Sequence, residues 1–313
     1  MSLAILNVVL IVISTGLLWK GSNWLVDSAV RIARKLHISD LVIGLTIVAM
    51  GTSVPEFAVT INAAIRGLPN ISVSNVVGSN IFNLGFILGG CAAIRSIKTT
   101  PTLVWRDGLF LLGMSSVLVA FLHDLTLTPR EGFILLIALG IYIAYLFFKK
   151  VPLEEVEQKE TEADGTWKDI LLFLLGVTTV VAGGHVMVWA AVSLARAFGL
   201  SEWAVGVTIV AAGTSAPEFA VSLAAALKGR YSISAGNLIG SDLFNLLGVL
   251  GLAGTLRPLT IDAAGRGSLY ILWGMVFLVV VFMRTGYRVT RAEGFLLVGL
   301  NLIRWVLDFW TQR

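Results

Sequence analysis

The sequence predicts an all-α, multi-span membrane protein of about ten transmembrane helices, arranged as two inverted-topology repeats of five. Composition, a ladder of apolar runs and an internal duplication predict it. Of 313 residues, 57% are hydrophobic and only 13% charged. The mean hydropathy is +0.88. A soluble globular chain carries about 25% charged residues, so lipid is the solvent for most of this one. The longest polar stretch, 149–168, is too short to bury a core of its own, which excludes a separate soluble domain. The net charge of +4 would raise nucleic acid as a partner for a soluble protein. Here the basic residues lie between apolar runs and set topology instead, so no nucleic-acid partner is expected.

The apolar runs fall at 3–32, 38–66, 71–95, 107–123, 131–148, 168–195, 201–227, 232–255, 268–283 and 292–310. A crossing needs roughly 17–25 apolar residues. The first and sixth runs are long enough to tilt or protrude. The N-terminus is apolar from Leu3 and lacks a basic leader and a small-residue cleavage site, so it reads as the first span rather than a signal peptide. If the N-terminus is outside, the cytoplasmic side collects most Lys and Arg residues, including Arg31, Arg34, Lys35, Arg95, Lys98 and Arg106. The outer side then holds Arg66, Arg130, Arg196, Arg257, Arg266 and Arg313. This positive-inside bias places both termini outside and the acidic linker 149–167 in the cytoplasm.

The duplication sets the domain organisation. Residues 38–89 and 200–251 align without a gap, with roughly half the positions identical. The copies are 162 residues apart, which gives a first repeat at 1–148 and a second at 168–313. Five spans per unit is an odd number, so the second copy is inverted. Inverted repeats are common in secondary transporters, whose sites lie at mid-membrane where the repeats meet.

Each copy contains a helix-breaking motif, Gly51-Thr52-Ser53-Val54-Pro55-Glu56 and Gly213-Thr214-Ser215-Ala216-Pro217-Glu218. Pro55 has no N–H to donate to the Gly51 carbonyl, and its ring crowds that turn. Freed carbonyls inside lipid must be satisfied by protein, water or an ion. A single such kink would read as packing. Two, each followed at once by a glutamate, read as a site. A buried ionisable group costs about 2.5–3.5 kcal/mol on insertion scales, and neither motif holds a Lys or Arg to neutralise Glu56 or Glu218. A bound cation is the natural partner.

The following helix adds a polar stripe. Asn75, Ser79 and Asn83 are spaced at i, i+4 and i+8, and Asn237, Ser241 and Asn245 repeat the pattern. On the motif helix, Thr52 shares a face with Glu56, and Ala49 with Ser53. Gly78 and Gly240 permit close helix approach. The set of carboxylate, hydroxyl, amide and carbonyl oxygens suits hard cations and disfavours zinc or copper. Two carboxylates balance one divalent charge, and a flexible ring of mixed oxygens fits Ca²⁺ better than Mg²⁺. It also fits Na⁺, and competition between the two ions for one site is the physical basis of exchange.

The doubled Gly-Thr-Ser-x-Pro-Glu motifs and the Gly-Ser-x-x-Phe-Asn helices that follow them, Gly78 to Asn83 and Gly240 to Asn245, resemble the α-repeats of the sodium/calcium exchanger family, within the cation/calcium exchanger superfamily. The resemblance extends to the span layout of the whole chain. It implies ten spans in two inverted sets of five, alternating access by sliding of the first and sixth helices, and a central Ca²⁺ site flanked by Na⁺ sites. By matching position it makes Glu56 and Glu218 the principal Ca²⁺ ligands, with the carbonyls of Thr52 and Thr214. Ser53, Ser79, Asn83, Ser215, Ser241 and Asn245, with the Ala49 and Ala211 carbonyls, complete the set. It also implies a microbial cell membrane.

Two departures stand out. Some relatives, including potassium-dependent exchangers, carry Asp where this chain has Asn245, which argues against a potassium requirement. Asp242 replaces the Asn found at position 80 and stands one residue off the stripe, where binding a neighbouring helix is the favoured role. The linker is too short for the regulatory Ca²⁺-binding domains of larger relatives. Cys91 and His185 are read as packing residues, and His37 and His123 as interfacial.

The leading function is Na⁺-driven Ca²⁺ antiport, with H⁺/Ca²⁺ antiport on the same glutamates as the alternative. The hydroxyls beyond those one Ca²⁺ needs favour sodium. A passive channel fits less well, since a channel needs weak binding rather than a closed site. No Ser-His or paired-Asp catalytic arrangement recurs, so the chain is not read as an enzyme, and neither a cofactor nor an obligatory protein partner is expected.

Overall fold

The computed structural model describes residues 3–148, 167–197 and 211–311. Apolar sequence folds as helix almost throughout, because a helix pairs its own backbone N–H and C=O groups where lipid offers no partner. In the first half, α1 is Leu3–Lys35, α2 Asp40–Thr52, α3 Val54–Ile65, α4 Pro69–Ile94, α5 Leu103–Asp124 and α6 Pro129–Phe148. In the second, α7 is Trp167–Ala197, α8 Ala211–Thr214, α9 Ala216–Leu227, α10 Tyr231–Leu256, α11 Ala263–Arg284 and α12 Arg291–Thr311.

Among the described residues, seven helices are long and apolar enough to cross a membrane: α1, α4, α5, α6, α7, α10 and α11. Helices α2 and α3 meet at a 53° bend and make up to eight if they count as one span. The ten expected runs are therefore not all separate apolar rods. The run at 38–66 is this broken pair. The run at 201–227 falls partly on residues outside the described ones, and its described remainder is α8 and α9. The last run is α12, 21 residues long but carrying Arg291, Glu293, Arg304 and Asp308. The linker 149–167 lies outside the described residues except for Trp167.

The all-α class is borne out, with two short strand ladders beside the helices. Strand β1 (Ile97–Lys98) pairs antiparallel with β4 (Arg288–Val289), and β2 (Thr126–Leu127) with β3 (Leu259–Thr260). These two-residue ladders form where chain leaves a helix and its freed backbone groups need partners. Periodicity in the sequence does not register so short a strand.

These ladders extend the duplication well beyond the aligned segments. Adding 162 to β1 gives β3, and adding it to β2 gives β4, and each first-half strand pairs with the counterpart of the other. The same offset relates the turns at Gly67 and Gly229, with φ of 72° and 75°. It also relates two capping boxes. Glu131 Oε2 accepts from Thr128 N at 2.7 Å, and Glu293 Oε2 accepts from Thr290 N at 2.7 Å. Contacts at positions 162 residues apart thus exchange partners between the two halves of the sequence.

Helices α1 and α7, counterparts by the offset, pack antiparallel. Asn7 donates to Ser193, while near the other end of α1 Arg31 pairs with Asp169. Gly176 makes room midway, where an added Cβ would lie 2.8 Å from Leu25 N. The α1–α7 pair shares an apolar cluster with α2, α9 and α10, while a larger cluster binds the remaining helices. Gly240 packs on the backbone of Leu45, where an added Cβ would lie 2.5 Å from the Leu45 oxygen, as the small-residue reading expected. At Gly78 no described residue lies within 4 Å of an added Cβ. Outward faces carry exposed Phe133, Ile134, Ile137 and Ile141 on α6 and Leu302, Ile303 and Val306 on α12, the kind of surface that lipid covers.

Candidate functional site

The site is built on two breaks. Ser53 separates α2 from α3 with φ −81° and ψ 11°, and Ser215 separates α8 from α9 with φ −88° and ψ 10°. Both sit in the sparsely populated region between helix and strand, where many site residues are found. Pro55 and Pro217 are tolerated because each stands in the first turn of a new helix, where the missing N–H has no partner to lose. Glu56 and Glu218 share that first turn, at the positive end of the helix dipole. Neither serine caps its own helix with its side chain.

The hydroxyls reach across instead. Ser53 Oγ donates to Glu218 Oε1 at 2.9 Å, and Ser215 Oγ donates to Glu56 Oε1 at 2.9 Å. Thr52 lies beside Ser53 near Glu218, and Thr214 beside Ser215 near Glu56. Each glutamate is thus held by the break of the other half. Thr52 Oγ1 also lies 3.2 Å from Asn237 Oδ1 and 3.4 Å from Ser241 Oγ. The Ala49 carbonyl, at the C-terminal end of α2, accepts from Ser53 N at 3.0 Å and from Ser241 Oγ at 3.5 Å.

The α4 and α10 helices supply a second exchanged pair. Asn83 Nδ2 donates to Asp242 Oδ1 at 3.0 Å, and Asn245 Nδ2 donates to Asn80 Oδ1 at 3.1 Å. Asn80 Nδ2 also donates to the Asp242 carbonyl at 3.0 Å. Asn83 opens a π-helical stretch, Asn83–Leu88, and Asn245 lies in another, Phe244–Val249. Such widened turns are frequent at functional sites because they re-aim side chains and loosen carbonyls.

Glu56, Glu218, Asp242, Asn83 and Asn245 are all fully buried. In each, one polar atom is tied by a protein hydrogen bond while another oxygen has no partner: Glu56 Oε2, Glu218 Oε2, Asp242 Oδ2, Asn83 Oδ1 and Asn245 Oδ1. Buried oxygens without partners are costly, and these five, with no described Lys or Arg paired to the carboxylates, fit a hard cation. Glu218 lies within electrostatic reach of both Glu56 and Asp242. Among the described residues no three His, Cys, Asp or Glu side chains form a metal cluster, so the donor set is mixed, with hydroxyls and amides between the acids.

Hydrogen bonds bring together Ser53 with Glu218, Ser215 with Glu56, Thr52 and Ala49 with Ser241, and Asn83 and Asn245 with Asp242 and Asn80, while Thr214 lies near Glu56. Ser79 is buried on the same helix as Asn83. Ala211 opens the described part of α8. Asn75 and Asn237, the upper residues of the polar stripe, brace the neighbouring helix by donating to Thr60 Oγ1 at 2.9 Å and Ser222 Oγ at 3.0 Å. Asp242, read as binding a neighbouring helix, does so by accepting from Asn83, whereas Asn80 escaped; both lie off the stripe. Each stands three residues before Asn83 or Asn245, a spacing that also shares a helix face. That is the signal that could have found them. Cys91 is buried, as the packing reading expected. His185 is exposed on α7, which corrects its packing assignment.

A family model described as sodium/calcium exchanger protein matches residues 6–149 and 168–308. CaxA of Alkalimonas amylolytica, a protein carrying an antiporter's name, is 36% identical over 293 residues, covering 90% of this chain and 92% of its own. The sodium/calcium exchanger MaX1 of Methanosarcina acetivorans is 33% identical, covering 93% and 95%. The solved structure of the sodium-calcium exchanger NCX_Mj superposes with a TM-score of 0.84 at 30% identity, covering 97% of this chain and 99% of its own.

Proposed function

This chain belongs to the sodium/calcium exchanger protein family, a multi-pass membrane cation antiporter by kind, and on that premise we propose that it exports Ca²⁺ in exchange for Na⁺ at the site between its two breaks. The observation that carries the proposal is the exchange of partners between Ser53 and Glu218 and between Ser215 and Glu56, which leaves an unpartnered oxygen on each glutamate. Glu56 and Glu218 are the central Ca²⁺ ligands. Thr52, Ser53, Ser79, Asn83 and Ala49, with Thr214, Ser215, Ser241, Asn245 and Ala211, complete the Ca²⁺ and Na⁺ positions. One Ca²⁺ neutralises the two glutamates, and so do two Na⁺. An empty, charged site inside lipid is costly to move, so the site crosses loaded and the two ion fluxes are coupled.

Ten spans in two inverted sets of five give the machine its symmetry, with repeats at 1–148 and 168–313. The antiparallel packing of α1 on its counterpart α7 supports that inversion. Because the halves are related by exchange, the arrangement that opens the site to one side has a twin that opens it to the other. The α1–α7 pair, joined at both ends, is the element that shifts across the remaining helices. Positive-inside bias puts both termini outside a microbial cell membrane.

The test is Ca²⁺ uptake into proteoliposomes loaded with Na⁺, with no external Na⁺ and proton gradients collapsed. Uptake that requires internal Na⁺ is expected. Uptake that appears only on imposing a pH gradient would replace sodium with protons as the driving ion.

A further inference from the structure

Helix α12 grips α4 where the polar residues of the first half stand. Asn301 is buried and donates from Nδ2 to the Ile81 carbonyl at 2.9 Å. That carbonyl lies between Asn80 and Asn83, the two amides that reach across to the other half. One turn further along α12, Trp305 stacks on Phe82 with ring centroids 6.1 Å apart and meets Phe86 at 4.8 Å. These contacts bracket Asn83, which opens the π-helical stretch Asn83–Leu88. Gly85 leaves the room for them, since an added Cβ there would lie 2.7 Å from Asn301 Cγ and 2.9 Å from its Cβ. The second half manages without the amide. The offset of 162 relates Asn301 to Leu139 and Trp305 to Ile143. Leu139 reaches Gly248, in the matching π-helical stretch Phe244–Val249. An apolar residue therefore serves helix packing at this place. Asn301 keeps an amide there although its Oδ1 is buried without a described partner, which is costly.

We infer that Asn301 is a positioning residue for ion binding: it holds the widened turn of α4 and so aims the Asn83 amide. This rests on the exchange reading above. A π-helical turn is a marginal conformation, because shifting backbone bonds from i+4 to i+5 leaves a carbonyl at its edge short of a donor. A donor from a neighbouring helix offsets that loss and favours the widened turn over the regular one. Reversion to regular helix would rotate the segments on either side against each other by about 100°, one residue's share of a turn. Asn83 stands at that boundary, with Nδ2 on Asp242 and Oδ1 unpartnered. Holding the turn lets the amide keep that bond and present its other oxygen to an ion. The brace belongs to one half, so its loss disturbs Asn83 and spares the counterpart Asn245.

Asn301→Leu tests it, with the residue type that position 139 already carries. Asn301→Ala removes the same donor without adding bulk, should the leucine variant fail to fold. In proteoliposomes loaded with Na⁺, the Ca²⁺ concentration for half-maximal uptake is expected to rise by about threefold or more, the scale of an interhelical hydrogen bond within a membrane. Maximal uptake per folded transporter is expected to persist. If Asn301 acts through Asn83, the two substitutions are not additive. In an Asn83→Ala background, which itself raises the half-maximal concentration, Asn301→Leu is therefore expected to add nothing. An unchanged half-maximal concentration in the folded variant, even with a lowered unfolding temperature, would mark the amide as packing alone and overturn the inference. Additive effects with Asn83→Ala would overturn it too, and both results leave sodium/calcium exchange intact. A wild-type protein without Na⁺-driven flux would instead overturn the reading on which the inference rests.

Discussion

Ser53 donates to Glu218 Oε1 at 2.9 Å although the two residues lie 165 positions apart, and the donor sits at the break of the opposite half. Its counterpart bond, Ser215 to Glu56, has the same length. Each bond fixes one carboxylate oxygen and leaves the other for a ligand. A hydrogen bond to a charged group contributes about 1.5–3 kcal/mol. Ser53→Ala and Ser215→Ala are therefore each expected to raise the Ca²⁺ concentration for half-maximal flux by about tenfold or more, and by similar factors. A large effect at one serine and none at the other would show that the exchanged pair does not act as a symmetric unit.

Glu56→Gln and Glu218→Gln remove charge without changing shape. Each is expected to nearly abolish Ca²⁺ flux, because a site with one fewer carboxylate cannot balance a divalent ion in a medium of low dielectric constant. Folding should survive, since the amide retains an oxygen to accept from Ser215 or Ser53. Flux and the thermal unfolding transition in detergent separate the two effects. Full flux in either folded variant would refute the assignment.

Much of this site is legible in the sequence because its signals are local. A proline and a glutamate adjacent in an apolar run, found twice, identify Glu56 and Glu218 without coordinates. The i, i+4 stripe finds Asn83 and Asn245. What escapes is what depends on pairing between distant segments. Asp242 lies one residue beyond Ser241, so the four-residue spacing puts it off the stripe, and its bonds from Asn83 and Asn80 on the other half are seen only in the structure. The two-residue ladders escape for the same reason, since Ile97 and Val289 pair across 192 positions. The bend at Ser53 is legible from Pro55, but its 53° magnitude is not.

Inversion of the repeats predicts where matched positions face. Arg66 and Lys228 are related by the offset of 162 and end α3 and α9 just before the turns at Gly67 and Gly229. Arg66→Cys and Lys228→Cys, introduced singly, should react with a membrane-impermeant maleimide from opposite sides. Cys91 is fully buried and contributes little background. Labelling from the same side would require a parallel rather than an inverted repeat.

Gly132 and Gly294 test the helix packing that frames the site. Gly132 lies near the start of α6, and an added Cβ there would sit 2.5 Å from Thr255 N and 2.7 Å from the Gly251 oxygen. At Gly294, near the start of α12, it would sit 2.6 Å from both Ala93 N and the Gly89 oxygen. These obstacles are backbone atoms, so no rotamer change relieves them. Overpacking of this kind costs about 1–3 kcal/mol. Gly132→Ala and Gly294→Ala should each lower the unfolding temperature in detergent. At Gly113 nothing among the described residues lies within 4 Å of an added Cβ. Gly113→Ala should therefore be neutral or stabilising, since alanine exceeds glycine in helix propensity by about 1 kcal/mol. Equal unfolding temperatures for all three variants would mean that the α6–α10 and α4–α12 contacts are looser than 2.5–2.7 Å implies.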